Sequence, residues 1–186
     1  MTNTHLTKEN KKEKMLKSKI KNFLLLAFLL TISSSFLFAN NIDIVNDSAN
    51  IIQPNHKQAI ETISTDLYSK TKTQIVVVTI PSLNGEALED YSLNLFRKLQ
   101  LGDKATNKGI LLLVSVDDRK SRVEVGYGLE GILPDGKTGT MQDELMLPFF
   151  REGDYSTGIT NMMFGIASVI YKDAGLEMPT NFQQPQ

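Results

Sequence analysis

Hydrophobic positions along this chain change period several times. From about Pro54 to Lys70, Ile60, Ile63 and Leu67 recur at helical spacing behind a proline suited to a first helical position, which predicts a helix. Gln74 to Ile80 is then a β-branched apolar run bounded by Pro81, the pattern of a strand buried on both faces. After the Asn84-Gly85 turn, Leu88, Tyr91, Leu95 and Leu99 mark a second helix that Gly102 can end. Gly109 to Val116 is a second buried strand. A helix joining two such strands is a βαβ unit, so the strands are expected to run parallel with a right-handed crossover.

The next connection, Asp117 to Lys120, is too short for a crossover, so Ser121 to Gly126 must return antiparallel as a hairpin partner. There Arg122, Glu124 and Gly126 alternate with Val123 and Val125, which predicts one less buried face. A third helix is expected from about Gly136 to Leu147, closed before Pro148. A fourth runs from Asp154, a good N-cap, through Ile159, Met162, Ile166 and Val169 towards Gly175. Met141, Met146, Met162 and Met163 fall at core spacing and read as filler. The sum is a single α/β domain: a small mixed sheet, βαβ plus an antiparallel hairpin, flanked by helices on both faces.

The first 39 residues follow a different pattern. Lys11 to Lys21 is basic, Phe23 to Phe38 is apolar and Ala39 is small, the order of a secretory signal peptide cleaved after Ala39. Domain bounds follow: 1–39 signal peptide, 40–175 folded domain, 176–186 disordered tail. The mature protein is expected to be extracytoplasmic, periplasmic in setting, with no transmembrane anchor after cleavage. Charge supports the division. Residues 1–39 hold seven lysines and two glutamates, which leaves thirteen basic and nineteen acidic residues, a balance of −6. An acidic body argues against nucleic acid as a partner.

No cysteine is present, which excludes thiol chemistry and cysteine metal sites. After cleavage His56 is the one remaining histidine, expected on the polar, solvated side of its helix, and it cannot supply a zinc site or a relay triad. Chemistry here must run on carboxylates, hydroxyls, lysine or an oxygen-held metal.

One stretch carries residues no core needs: Gly126-Tyr127-Gly128-Leu129-Glu130-Gly131, then Leu133-Pro134-Asp135. Its glycines let the main chain approach an ion or a neighbouring segment closely, and Tyr127 is expected to be partly buried with its hydroxyl satisfied. If the two hairpin strands are neighbours, residues 102–108 lie beside residues 126–135. Asp103, Asn107, Glu130 and Asp135 then share one sheet end, an oxygen set suited to Ca²⁺ or Mg²⁺. Each acid has a second reading. Asp135 serves equally as a helix cap, Asp103 as a turn former, and Glu124 pairs structurally with Arg122. At the opposite sheet end Asp117 and Asp118 form a secondary cluster, a hairpin turn or a site outside the carboxyl ends of the parallel strands.

Several blocks in order resemble the TPM domain family over about residues 43–172. They are Val45-Asn46-Asp47-Ser48-Ala49, the strand Ile75 to Thr79, Leu101-Gly102-Asp103, Asn107 to Leu112, Asp118-Arg119, Val123 to Gly131, and Pro148 through Arg151-Glu152-Gly153-Asp154-Tyr155. The resemblance implies divalent cation binding and a role in envelope protein assembly or maintenance through contact with envelope or membrane proteins. Its alternative implication is a metal-assisted acid phosphatase acting on a phosphate ester, since related domains include a thylakoid-lumen protein associated with that activity. A dehydrogenase reading is poor, because Gly126, Gly128 and Gly131 follow a hairpin strand beside the anionic Glu130.

Overall fold

A computed structural model of the chain describes residues 42–179; the expected signal peptide and residues 180–186 of the expected tail lie outside the described residues. Four strands form one sheet in the order β1 (Val45–Asp47), β2 (Gln74–Ile80), β3 (Gly109–Ser115) and β4 (Lys120–Val125). The first three are parallel. β4 is antiparallel to β3, with Leu112 opposite Val123. β2 and β3 are joined through α2 (Leu88–Leu99), the expected βαβ unit. β1 was not expected, because three residues with Val45 alone buried carry no readable period.

The period of two in β2 and β3 divides the apolar side chains between two cores. Val76, Val78, Ile80, Leu111 and Leu113 face α2 through its partly buried Tyr91, Leu95 and Phe96. Ile75, Val77, Ile110, Leu112 and Val114 face the other way, against α1 (Pro54–Thr71) and α5 (Tyr155–Asp173). The four core methionines are buried in this second cluster. Each fully buried aliphatic side chain contributes about 1.5–3 kcal/mol, so a two-sided core of this kind stands without disulfides.

α2 spans Leu88 to Leu99 as the apolar spacing predicts, with Gln100 in the left-handed region (φ 50°) as its cap and Gly102 (φ 80°) two residues beyond. One helix expectation needs correction. Pro148 does not close the third helix. α3 (Asp135–Met141) runs into a π-helical turn (Gln142–Met146) and on through α4 (Leu147–Arg151). A proline has no N–H for the ladder and its ring crowds the carbonyl four residues back. The chain accommodates it by widening the turn, so that Leu147 N–H donates to Gln142 O, five residues earlier. One inserted residue rotates everything beyond it by about 100° around the axis, which sets the direction of Leu147, Phe150 and Arg151.

His56 also departs from expectation. It is buried, 4% exposed, between α1 and α5. Thr160 Oγ1 donates to Ser156 O (2.8 Å), so the 2.9 Å contact with His56 Nδ1 is an Nδ1–H donation to the threonine. Burial lowers the imidazole pKa below its ordinary 6.5, opposed by the charge of Asp154. The unfolded chain therefore binds the proton first, and stability falls as pH drops from about 6.5 through the folded-state pKa. Urea midpoints between pH 8 and pH 5 should show this loss in the native protein and a shallower one in His56→Asn.

Candidate functional site

The two ends of the sheet gather different residues. At the amino end of β3, the loop of residues 102–108 and the glycine-rich stretch after β4 meet. Gly126 N–H donates to Gly109 O (2.8 Å) and Gly128 N–H to Asn107 O (3.2 Å). A Cβ on Gly126 would sit 2.3 Å from Asn107 O, and one on Gly128 1.9 Å from Thr106 O. These glycines therefore serve backbone against backbone. Tyr127 is not buried but 80% exposed, because the chain turns there into a one-turn 3-10 helix (Tyr127–Leu129) that buries Leu129 instead.

The acids of this end face separate tasks. Asp103 Oδ1 accepts from the N–H groups of Ala105 and Thr106 (2.8 Å each), and Oδ2 accepts from Thr106 Oγ1 (3.0 Å). Those bonds, the Thr106 N–H first, hold its pKa below the usual range. Asn107 is exposed in the left-handed region (φ 50°) and its carbonyl serves Gly128. Glu130 is exposed after the 3-10 turn. Asp135 opens α3 without a capping hydrogen bond, and its charge helps to raise the pKa of Arg122, whose main partner is Glu124 (2.5 Å). Glu124 also accepts from the buried Ser92 (2.6 Å). Among the described residues no three of His, Cys, Asp and Glu gather to hold a metal ion. A hard divalent cation takes about six or more oxygens; of the expected set Asp103, Asn107, Glu130 and Asp135, Asp103 has both carboxylate oxygens engaged by its own loop.

The carboxyl end of the parallel strands is built differently. Asp118 Oδ2 accepts from Ser115 Oγ (2.6 Å), Leu83 N–H (2.7 Å) and Ser82 Oγ (3.2 Å), which ties the β3–β4 turn to the loop after β2. The Ser115 hydroxyl contributes most to a depressed pKa. Asp117 is exposed on the turn. Arg119, exposed and held in the left-handed region (φ 52°), closes the turn, its N–H donating to Val116 O (3.0 Å).

Beside this turn lies a groove of about 610 Å³. Val114 and Ser115 line it from β3 and Ser121 from β4, while Leu147, Phe150 and Arg151 come from the re-aimed helix. Glu152, Gly153 and Tyr155 complete it, with the Phe150 and Tyr155 rings 4.8 Å apart and tilted at 53°. Three exposed cations, Arg119, Lys120 and Arg151, stand at it against one carboxylate, Glu152. Sequence reasoning reached Asp117 and Asp118 at this end but missed the basic and aromatic residues. The signal was in the order of the blocks Asp118-Arg119 and Pro148 to Tyr155.

Comparison with known proteins matches the TPM domain over residues 45–169. The structure is similar to the solution structure of the N-terminal domain of a protein from P. gingivalis, with 30% identity and a TM-score of 0.69 over 77% of this chain and 91% of that one. Two further solution structures share the fold. BA42 from Bizionia argentinensis has 17% identity and a TM-score of 0.57 over 70% and 92% of the two chains. The N-terminal domain of cg2496 from Corynebacterium glutamicum has 12% and 0.55 over 76% and 86%. A search of the curated proteins finds no match.

Proposed function

The chain belongs to the TPM domain family, and from that premise we propose that it is an extracytoplasmic binding domain. It holds envelope or membrane proteins during their assembly or maintenance, without turnover. The observation that carries this reading is the groove at the carboxyl end of the sheet, which offers cations and apolar surface but no poised nucleophile. Ser115 is 1% exposed and its proton goes to Asp118. Ser121 donates to Gln142 Oε1 (3.1 Å). Asp118, with its pKa depressed, is a poor general base near neutral pH.

Export rests on the tripartite pattern of residues 1–39. Among the described residues no helix is long and apolar enough to cross a membrane. The reading rests on the groove and not on Ca²⁺ or Mg²⁺, whose expected ligands Asp103, Asn107, Glu130 and Asp135 lie at the other end of the sheet.

The test is a pair of measurements on the processed protein, whose N-terminus should be Asn40. Hydrolysis of p-nitrophenyl phosphate with Ca²⁺ or Mg²⁺ should stay at background, unchanged by Asp103→Asn or Glu130→Gln. Photocrosslinking from Tyr155 in living cells should capture envelope proteins. Saturable hydrolysis abolished by either substitution would overturn the reading in favour of a metal-assisted phosphomonoesterase.

A further inference from the structure

The groove beside the β3–β4 turn has a chemistry more specific than general stickiness. We propose that it binds a singly charged carboxylate attached to an apolar body, as presented by the free C-terminus of a polypeptide ending in an apolar residue. This rests on the binding-domain reading above and names the ligand class of the same site.

Four observations carry the proposal. First, the charge is local and opposite to that of the body: three cations against Glu152, in a protein whose residues beyond 39 sum to −6. Arginines at two positions, Arg119 and Arg151, offer forked donors matched to the two oxygens of a carboxylate. Second, the floor is apolar. Val114, Leu147 and the Phe150–Tyr155 ring pair would cover a hydrophobic side chain next to the anion.

Third, the backbone disfavours phosphate. Sites for phosphate commonly use a cradle of free main-chain N–H groups. Here Glu152 and Asp154 N–H both donate to Phe149 O, and Gly153 N–H donates to Phe150 O. Fourth, the part-buried Ser121 has committed its hydroxyl proton to Gln142, so it can only accept. An incoming amide N–H is the complement of such an acceptor, and a polypeptide end brings one beside its carboxylate.

The experiment is an NMR titration of the processed protein with an acetylated tetrapeptide ending in Leu-Phe as the free acid. Its comparators are the same peptide as a C-terminal amide, N-acetylphenylalanine, inorganic phosphate and phosphatidylglycerol vesicles. The free acid should shift the amides of Ser121, Arg151, Gly153 and Tyr155 saturably. Amidation, Arg119→Gln and Arg151→Gln should each weaken binding about tenfold, while Asp103→Asn leaves it unchanged. N-acetylphenylalanine binding as tightly as the tetrapeptide would assign the site to a small amphipathic acid, overturning the polypeptide source.

Equal binding of the amide, preference for phosphate, or shifts with vesicles alone would overturn the proposal. So would shifts that never saturate. The two readings fail separately. If Arg119→Gln/Arg151→Gln protein still crosslinks to envelope partners from a position outside the groove, the binding-domain reading stands and the groove assignment falls. If peptide binding holds while saturable phosphatase activity appears, the reverse is true.

Discussion

Gly128→Ala is expected to lower the unfolding free energy by about 1–3 kcal/mol, while Gly131→Ala, three residues later, stays within about 0.5 kcal/mol. The added methyl at 128 would lie 1.9 Å from Thr106 O, whereas nothing stands within 4 Å of one at 131. Thr106 cannot easily retreat. Its N–H and hydroxyl are bonded to Asp103, and three residues on the chain enters β3, whose Gly109 is held by the Gly126 N–H. The collision is with backbone, so no side-chain rotation relieves it. Urea denaturation of the two variants checks the prediction. Equal stability of both would mean that the two loops do not approach as described.

This pair of glycines also shows how far the residues could be read without coordinates. The hairpin forced residues 102–108 beside residues 126–135, because a four-residue connection leaves no other return path. That inference needed only periodicity and connection length, and the loops do meet. What the side chains do after meeting depends on rotations that no period records. Asp103 turns back on its own loop, and the charge of Asp135 acts on Arg122. Tyr127 points outward, since the 3-10 turn gives the interior position to Leu129.

The groove was less legible for a related reason. Its walls come from the β3–β4 turn and from the helix after the π-helical turn, more than twenty residues apart in sequence. Pro148 was read as a stop because a proline usually ends a ladder. The wider turn absorbed it instead, and the rotation that followed brought Phe150 and Arg151 to Arg119. His56 was misplaced for a different reason: it stands four residues before Ile60 on the same buried stripe, but a polar imidazole does not extend an apolar period, and only the fold places Thr160 of α5 there to take its proton.

Asp47→Ala should be at least as damaging as the glycine change, costing about 2–3 kcal/mol. Asp47 Oδ1 accepts from Thr79 Oγ1 (2.5 Å) and Ile51 N–H (3.1 Å), and Oδ2 from Ile52 N–H (2.9 Å). Thr79 is fully buried, and its oxygen in turn accepts from Ala49 N–H (3.2 Å). Alanine leaves the buried hydroxyl and two amides without their acceptor, and it does so at the end of a strand only three residues long. β1 should then loosen from the sheet. Amide exchange at Val77, whose N–H reaches across to Ile44 O (2.8 Å), should accelerate more than exchange at the centre of β3. Asp47→Asn should be intermediate, since its amide group keeps one acceptor oxygen and loses the other. In the double variant Asp47→Ala/Thr79→Val both polar partners are gone, and the combined loss should fall short of the sum of the single losses by about 0.5 kcal/mol or more. Additive losses with unchanged Val77 protection would mean that the carboxylate does not anchor the strand.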